Sequence, residues 1–201
     1  MDRRNFLGLG LASQALALSP WAIAAPERIE RPLSRAAKNG MLPNVPLVTH
    51  TGETVHFYDD LIRDRTVLFN FFLVGCTDGR CPIATANLRQ VQDLLGDRMG
   101  KDVFFYSITL QPEMDTPEVL KEYTEVFDVK PGWLFLTGKK ADIELLRRSQ
   151  GYVDPDPERD KDLTNHIGMA RYGNDRLERW GAVSVSSQAS NIASTFKWLT
   201  I

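Results

Sequence analysis

The sequence predicts an α/β domain, a central sheet flanked by helices with a β-hairpin at each end. Three features carry this expectation. From residue 46 onward, short apolar runs of strand composition alternate with segments of helical period. One run, Thr66–Val74, is almost continuously apolar, the pattern of a strand buried on both faces. Two alternating stretches also turn at Thr51-Gly52-Glu53 and at Gly173-Asn174-Asp175, as hairpins do.

Each element follows in order. Residues 25–40 are mixed polar with two prolines and read as a flexible arm. Pro46–Phe57 is the first hairpin; His50 and His56, in or beside it, are expected to face solvent. Behind the Thr66–Val74 strand, Pro82 suits a first helical turn, and Ala84, Leu88, Val91 and Leu95 recur at helical spacing. Asp102–Thr109 is a second strand. Asp115-Thr116-Pro117-Glu118 starts a helix, with proline just inside and acid near its positive end; Val119, Tyr123 and Phe127 are its expected buried face. Trp133–Thr137 reads as a short strand and Lys139–Arg148 as a helix. Asp154–Asp162 is a charged, proline-broken loop with little apolar surface to bury, so it is expected to be mobile. Ile167–Tyr172 and Leu177–Val183 flank the second turn, and Gln188–Leu199 closes the chain as an amphipathic helix. Residues 41–201 therefore read as one domain.

The first 24 residues read as an address. Arg3-Arg4, a modest apolar stretch and Ala22-Ile23-Ala24 are the three parts of an export signal. The twin arginine followed by Asn5-Phe6-Leu7 resembles a Tat signal, which exports folded proteins. Gly8, Gly10, Ser13 and Gln14 make the stretch too short and polar to span a bilayer well. The expected destination is the periplasm, with an uncleaved signal acting as a membrane anchor as the alternative.

Composition narrows the function classes. With 43% hydrophobic and 25% charged residues the 201-residue chain is globular rather than disordered. Twenty-four basic against 26 acidic residues lack the surplus a nucleic-acid binder carries. Two cysteines exclude a multi-disulfide scaffold and a four-cysteine zinc site.

Those two cysteines carry the chemistry. Leu73-Val74-Gly75-Cys76-Thr77-Asp78-Gly79-Arg80-Cys81-Pro82 places both thiols between a buried strand's exit and a helix's entry. A helix N-terminus favours a thiolate, and ligands bind beyond the carboxyl ends of parallel strands. Such a pair can exchange a disulfide or bind a soft metal ion. Asp78 and Arg80, between the thiols, read as solvated loop charges. His166, in Leu163-Thr164-Asn165-His166, adds an imidazole: two thiolates and a histidine suit Cu(I), and Cu(II) with a further ligand.

Here the chain resembles the Sco/SenC family, thioredoxin-like copper chaperones of cytochrome c oxidase assembly. The resemblance runs from about Leu42 to Leu199. It rests on the Phe69–Val74 strand leading into paired cysteines with Pro82, on Ser107-Ile-Thr-Leu-Gln-Pro-Glu-Met-Asp-Thr-Pro-Glu-Val-Leu120, on Trp133–Gly138, and on His166 before the last hairpin. It implies a thioredoxin-like fold with a central mixed sheet. It also implies copper held by Cys76, Cys81 and His166, and a cuproprotein acceptor such as an oxidase subunit. Two departures stand out. The family usually has three residues between its cysteines, and this chain has four; Asn165 stands where the family usually has aspartate.

The competing expectation is a thiol–disulfide oxidoreductase that keeps the cysteines of a copper site reduced, with Cys76 and Cys81 as its redox pair. A thiol peroxidase is a third, since one fold hosts several chemistries. His166 separates them, because copper binding uses it and dithiol exchange does not. The export reading makes its own prediction: protein recovered from the periplasm begins at Ala25 on N-terminal sequencing, and an intact Met1 there overturns it.

Overall fold

The computed structural model describes residues 32–199; the export signal and the first part of the arm lie outside the described residues. In chain order these contain α1 (Arg35–Lys38), β1 (Pro46–Thr49), β2 (Thr54–His56), a π-helical turn (Phe57–Ile62), β3 (Thr66–Phe72), α2 (Arg80–Leu95), β4 (Val103–Thr109) and α3 (Pro117–Val126). There follow β5 (Trp133–Gly138), α4 (Lys140–Ser149), α5 (Pro157–Asp160), a 3-10 turn (Leu163–His166), β6 (Met169–Asn174), β7 (Arg179–Ser184) and α6 (Ala189–Thr195). The strands form one mixed sheet in the order β2-β1-β5-β4-β3-β6-β7. Strands β3, β4 and β5 run parallel, and each hairpin joins them antiparallel, β1 on β5 and β6 on β3. The expected thioredoxin-like α/β architecture, with a hairpin at each end, is the one observed.

Strand β3 lies between β4 and β6 and all seven of its residues are buried, which is why its sequence does not alternate. Phe69 meets Phe57 edge-on at 5.5 Å and Phe72 meets Phe135 at 5.2 Å. Each such ring contributes about 1.5–3 kcal/mol by leaving water. One polar side chain interrupts this run. Asn70 Oδ1 accepts from the Ser107 hydroxyl at 2.9 Å, and that hydroxyl accepts from Trp133 Nε1 at 3.0 Å, so three strands share a satisfied buried chain.

Several boundaries differ from expectation for local reasons. Helix α2 begins at Arg80 rather than Pro82, which puts Cys81 inside its first turn; Pro82 is tolerated there because first-turn amides need no intrahelical acceptor. In α3 the buried face is Leu120, Tyr123 and Thr124, with Val119 and Phe127 only half-buried. His50 does not face solvent. It is half-buried at the end of the first strand, its N–H donating to the Phe135 carbonyl at 2.8 Å and its Nδ1 accepting from the Phe135 N–H at 3.3 Å. Burial lowers its pKa. The last part of the arm is held: Ser34 caps α1, Ala36 and Ala37 pack on the core, and Arg35 pairs with Glu178 at 2.5 Å.

The 154–162 segment is not bare loop either. It contains α5, and its turns are closed by Asp156 N–H on Asp154 (2.8 Å), Glu158 N–H on Asp156 (3.0 Å) and Asp154 N–H on Asp160 (2.9 Å). Aspartates at alternate positions supply the acceptors that an apolar segment lacks.

Gly132 sits at φ +92° where the turn before β5 crosses the turn before β4. A Cβ there meets the Gly100 Cα at 2.8 Å and the Met99 carbonyl carbon at 2.9 Å. Gly132→Ala is therefore expected to destabilise the domain by at least about 2 kcal/mol, from strain plus a backbone collision, and to lower Tm by several degrees in thermal unfolding. A Tm equal to the wild type contradicts this.

Candidate metal centre

Where β3 leaves the sheet, two consecutive amides are captured by side chains. The Leu73 N–H donates to Cys81 Sγ at 3.3 Å, and the Val74 N–H donates to Asp115 Oδ2 at 3.2 Å. The chain then turns through Cys76 into α2, where the Cys81 N–H donates to Cys76 Sγ at 3.4 Å. Cys76 and Cys81 are thus brought together as free thiols, Cys76 half-buried and Cys81 1% exposed. Burial, then the adjacent Cys76 sulfur, push the Cys81 thiol up to about 12, against the Leu73 N–H.

The residues between the thiols are engaged rather than merely solvated. Asp78 Oδ1 accepts the Cys76 thiol and the Arg80 N–H, both at 3.0 Å, and its Oδ2 accepts Arg80 Nε at 2.5 Å. The Cys76 thiol and Arg80 together hold the Asp78 carboxyl down at about 2. With Gly79 in the left-handed region at φ +75°, Asp78 supplies the side-chain acceptor that a glycine cap lacks.

His166 is placed differently. It is 4% exposed, in the 3-10 turn, and Nε2 lies 3.0 Å from the Asp160 carbonyl, 3.3 Å from Asp160 Oδ1 and 3.0 Å from Arg147 Nη1. Arg147 is itself buried on α4, between Glu144 and Asp160. Among the described residues no three His, Cys, Asp or Glu side chains stand close enough together to hold a metal ion. Asp162, just before that turn, has its carboxyl held down by the Thr164 hydroxyl and N–H and, more weakly, by the charge of Arg80 from the dithiol turn. The structure joins Cys76 with Cys81 and leaves His166 outside that pair, on the 3-10 turn.

Residues 37–174 match the model of the SCO1/SenC family, more than half of the chain. The chain belongs to the SCO1/SenC family. Among curated relatives, the SCO2-like protein RP587 of Rickettsia prowazekii is 33% identical over 98 residues, 49% of this chain and 45% of that protein. Protein SenC of Rhodobacter capsulatus is 34% identical over 98 residues, 49% of this chain and 42% of that one. The match spans about half the length of the curated relatives. Among solved structures, a SCO1/SenC family lipoprotein from Bacillus anthracis superposes with TM-score 0.64 at 24% identity, over 79% of this chain and 94% of that one. ScoI of Bradyrhizobium japonicum with copper bound gives 0.61 at 23%, over 79% and 99%. These likenesses show the fold. No helix among the described residues of this SCO1/SenC chain is long and apolar enough to cross a membrane.

Three residues at this SCO1/SenC site escape a reading of the sequence. Asp115 reads as a helix-start acid, but Thr116 takes the cap and Asp115 turns inward to accept Val74 N–H and the Thr109 hydroxyl on one oxygen. Arg147 and Asp160 read as surface charges of a helix and a loop. The i,i+3 spacing of Glu144 and Arg147 is visible in sequence; the burial that gives it weight is not.

Burial raises the Asp115 carboxyl, opposed by its two donors. A carboxyl whose folded pKa is raised contributes stability while protonated, and loses it as pH rises through the folded value. Asp115→Asn keeps one oxygen for both donors, so its stability relative to wild type is expected to improve between about pH 4 and pH 7. Asp115→Ala orphans the donors and is expected to cost about 1–3 kcal/mol. Denaturant unfolding of both variants at the two pH values measures this, and a pH-independent difference for Asn overturns it.

Proposed function

We propose that this protein carries one copper ion as cargo, bound by the Cys76 and Cys81 thiolates with His166 as third ligand, and passes it to a cuproprotein acceptor such as an oxidase subunit in the periplasm. The observation that carries this reading is the pair of free thiols at the β3 exit, each sulfur receiving a backbone N–H. Two adjacent thiols with amide donors suit a soft ion: the N–H groups offset the negative charge that thiolates bring, and Cu(I) accepts two-coordinate sulfur. His166, outside the thiol pair, would add the nitrogen donor that Cu(II) prefers. The copper-bound Bradyrhizobium protein and copper-bound yeast Sco1 share this fold, and so does BsSco, described as a member of the Sco family of cytochrome c oxidase assembly proteins.

A second reading has its own support in the asymmetry of the thiols. Cys76 is the more accessible, and Cys81 is buried and held protonated, the division of labour between an attacking and a resolving cysteine. In that chemistry the Cys76 thiolate attacks a substrate disulfide, releasing one substrate thiolate. Cys81 gives its proton to that released thiolate, attacks Cys76 Sγ and releases the second substrate thiolate, leaving the protein oxidised and the substrate reduced by two electrons.

Anaerobic titration separates the two. The reduced protein is expected to bind one Cu(I) or one Cu(II), and the disulfide form neither, because a disulfide lacks the thiolate donors. His166→Ala is expected to keep most Cu(I) affinity and lose the stable Cu(II) complex. Cells carrying His166→Ala are expected to fail in maturing their copper protein. Normal maturation in those cells, with failure in cells carrying Cys81→Ser, replaces the chaperone with the reductase.

A further inference from the structure

The surroundings of His166 decide which of its nitrogens carries the proton. A guanidinium has five N–H donors. Those of Arg147 are all committed to oxygen: Nε to Glu144 Oε2 at 2.8 Å, Nη2 to Glu144 Oε1 at 2.7 Å and Asp160 Oδ2 at 2.9 Å, and Nη1 to Asp160 Oδ1 at 2.8 Å and the Tyr152 carbonyl. None remains for the His166 ring, so the 3.0 Å approach of Nη1 to Nε2 is not a donation to the imidazole. Nε2 instead faces two acceptors, the Asp160 carbonyl at 3.0 Å and Asp160 Oδ1 at 3.3 Å. A lone pair there would oppose both oxygens. Nε2 therefore carries a hydrogen, and in the neutral ring the lone pair falls on Nδ1.

We propose that Arg147 and Asp160 are positioning residues: by clamping the Asp160 backbone and carboxylate beside Nε2, they hold His166 in its Nε2–H tautomer and leave Nδ1 as the nitrogen offered to a metal ion. This rests on His166 as a ligand and adds how the chain prepares it. A histidine ligand is oriented by the hydrogen bond its other nitrogen makes to a carbonyl or carboxylate, and losing such a partner weakens metal binding about 10–100-fold. Arg147 is suited to this because its side chain is only 3% exposed and its fork binds two carboxylates bidentately, which a lysine cannot do. The same pair ties α4 to the last residue of α5, which the His166 ring meets, so the imidazole moves with Asp160.

Nitrogen-15 NMR of the reduced, metal-free protein reads the tautomer directly. His166 is expected to show a protonated Nε2 and a lone pair on Nδ1. Arg147→Lys and Asp160→Asn are expected to mix the tautomers and weaken Cu(II) binding about 10–100-fold, with Cu(I) affinity, carried by the thiolates, within a few-fold of wild type. Should Arg147→Lys fail to fold, Asp160→Asn, which retains the backbone carbonyl, gives the same readout. A proton on Nδ1 in the wild type overturns the proposal. So does an equal loss of Cu(I) and Cu(II) affinity in the variants, which marks a merely structural role, and so does wild-type Cu(II) affinity in both. Wild-type Cu(II) affinity in His166→Ala instead removes the histidine from the ligand set, a separate failure seen with the Arg147–Asp160 pair intact.

Discussion

The site hangs from the two amides at which β3 leaves the sheet. Leu73 and Val74 are the last residues before the turn, and their N–H groups have no further strand to pair with. Buried donors in that position must find acceptors, and they find Cys81 Sγ and Asp115 Oδ2. One bond pulls the first turn of α2 against the strand end, and the other fastens the β4–α3 connection beside it. The geometry of the thiols is thus a by-product of satisfying the backbone. Cys81 is buried because it is an acceptor for the sheet, and that burial is what separates its acidity from that of an ordinary thiol.

Much of the fold was legible because β3, β4 and β5 announce themselves in composition, and because Thr51-Gly52-Glu53 and Gly173-Asn174-Asp175 are strong turn signals. The cysteines were legible for the same reason, as they punctuate the most apolar strand. Helix starts were less so: α2 begins two residues before the proline because Asp78 caps it, a contact that spacing does not reveal. His50 reads as solvent-facing by its polarity, yet the neighbouring strand accepts its backbone hydrogen bond and leaves it half-buried. The charged run 154–162 misled in the opposite direction. Its aspartates look like solvated charge, yet Asp160 is spoken for by a buried arginine arriving from α4, twelve or more residues upstream. Contacts between charges distant in sequence are what a one-dimensional pattern cannot register.

The two halves of the site have different mechanical character. The dithiol turn is held by short-range bonds within six residues and by the strand behind it, whereas His166 belongs to a unit assembled from α4, α5 and the 3-10 turn. Both units rest on the same core, to which Cys76, Tyr152 and Leu163 all pack. A ligand that engages both must draw together two substructures that are each internally satisfied. On the proposed copper reading, the thiol half can act alone while His166 is engaged or released separately.

The buried Asn70 has a consequence for accuracy. In an otherwise oily strand its side-chain oxygen meets the Ser107 hydroxyl because Asn70 lies opposite Ser107, the register observed. A slip of one residue would leave the Asn70 carbonyl oxygen without its Ser107 donor, a penalty of about 1–3 kcal/mol, and would turn every side chain of β3 to the other face. It would also carry the end of the strand, and the cysteine turn with it, about 3.3 Å along the sheet. That error is larger than the tolerance of any sulfur–metal or sulfur–sulfur bond. The fidelity with which two thiols meet at one edge of the molecule is therefore proofread by an amide in the middle of the sheet.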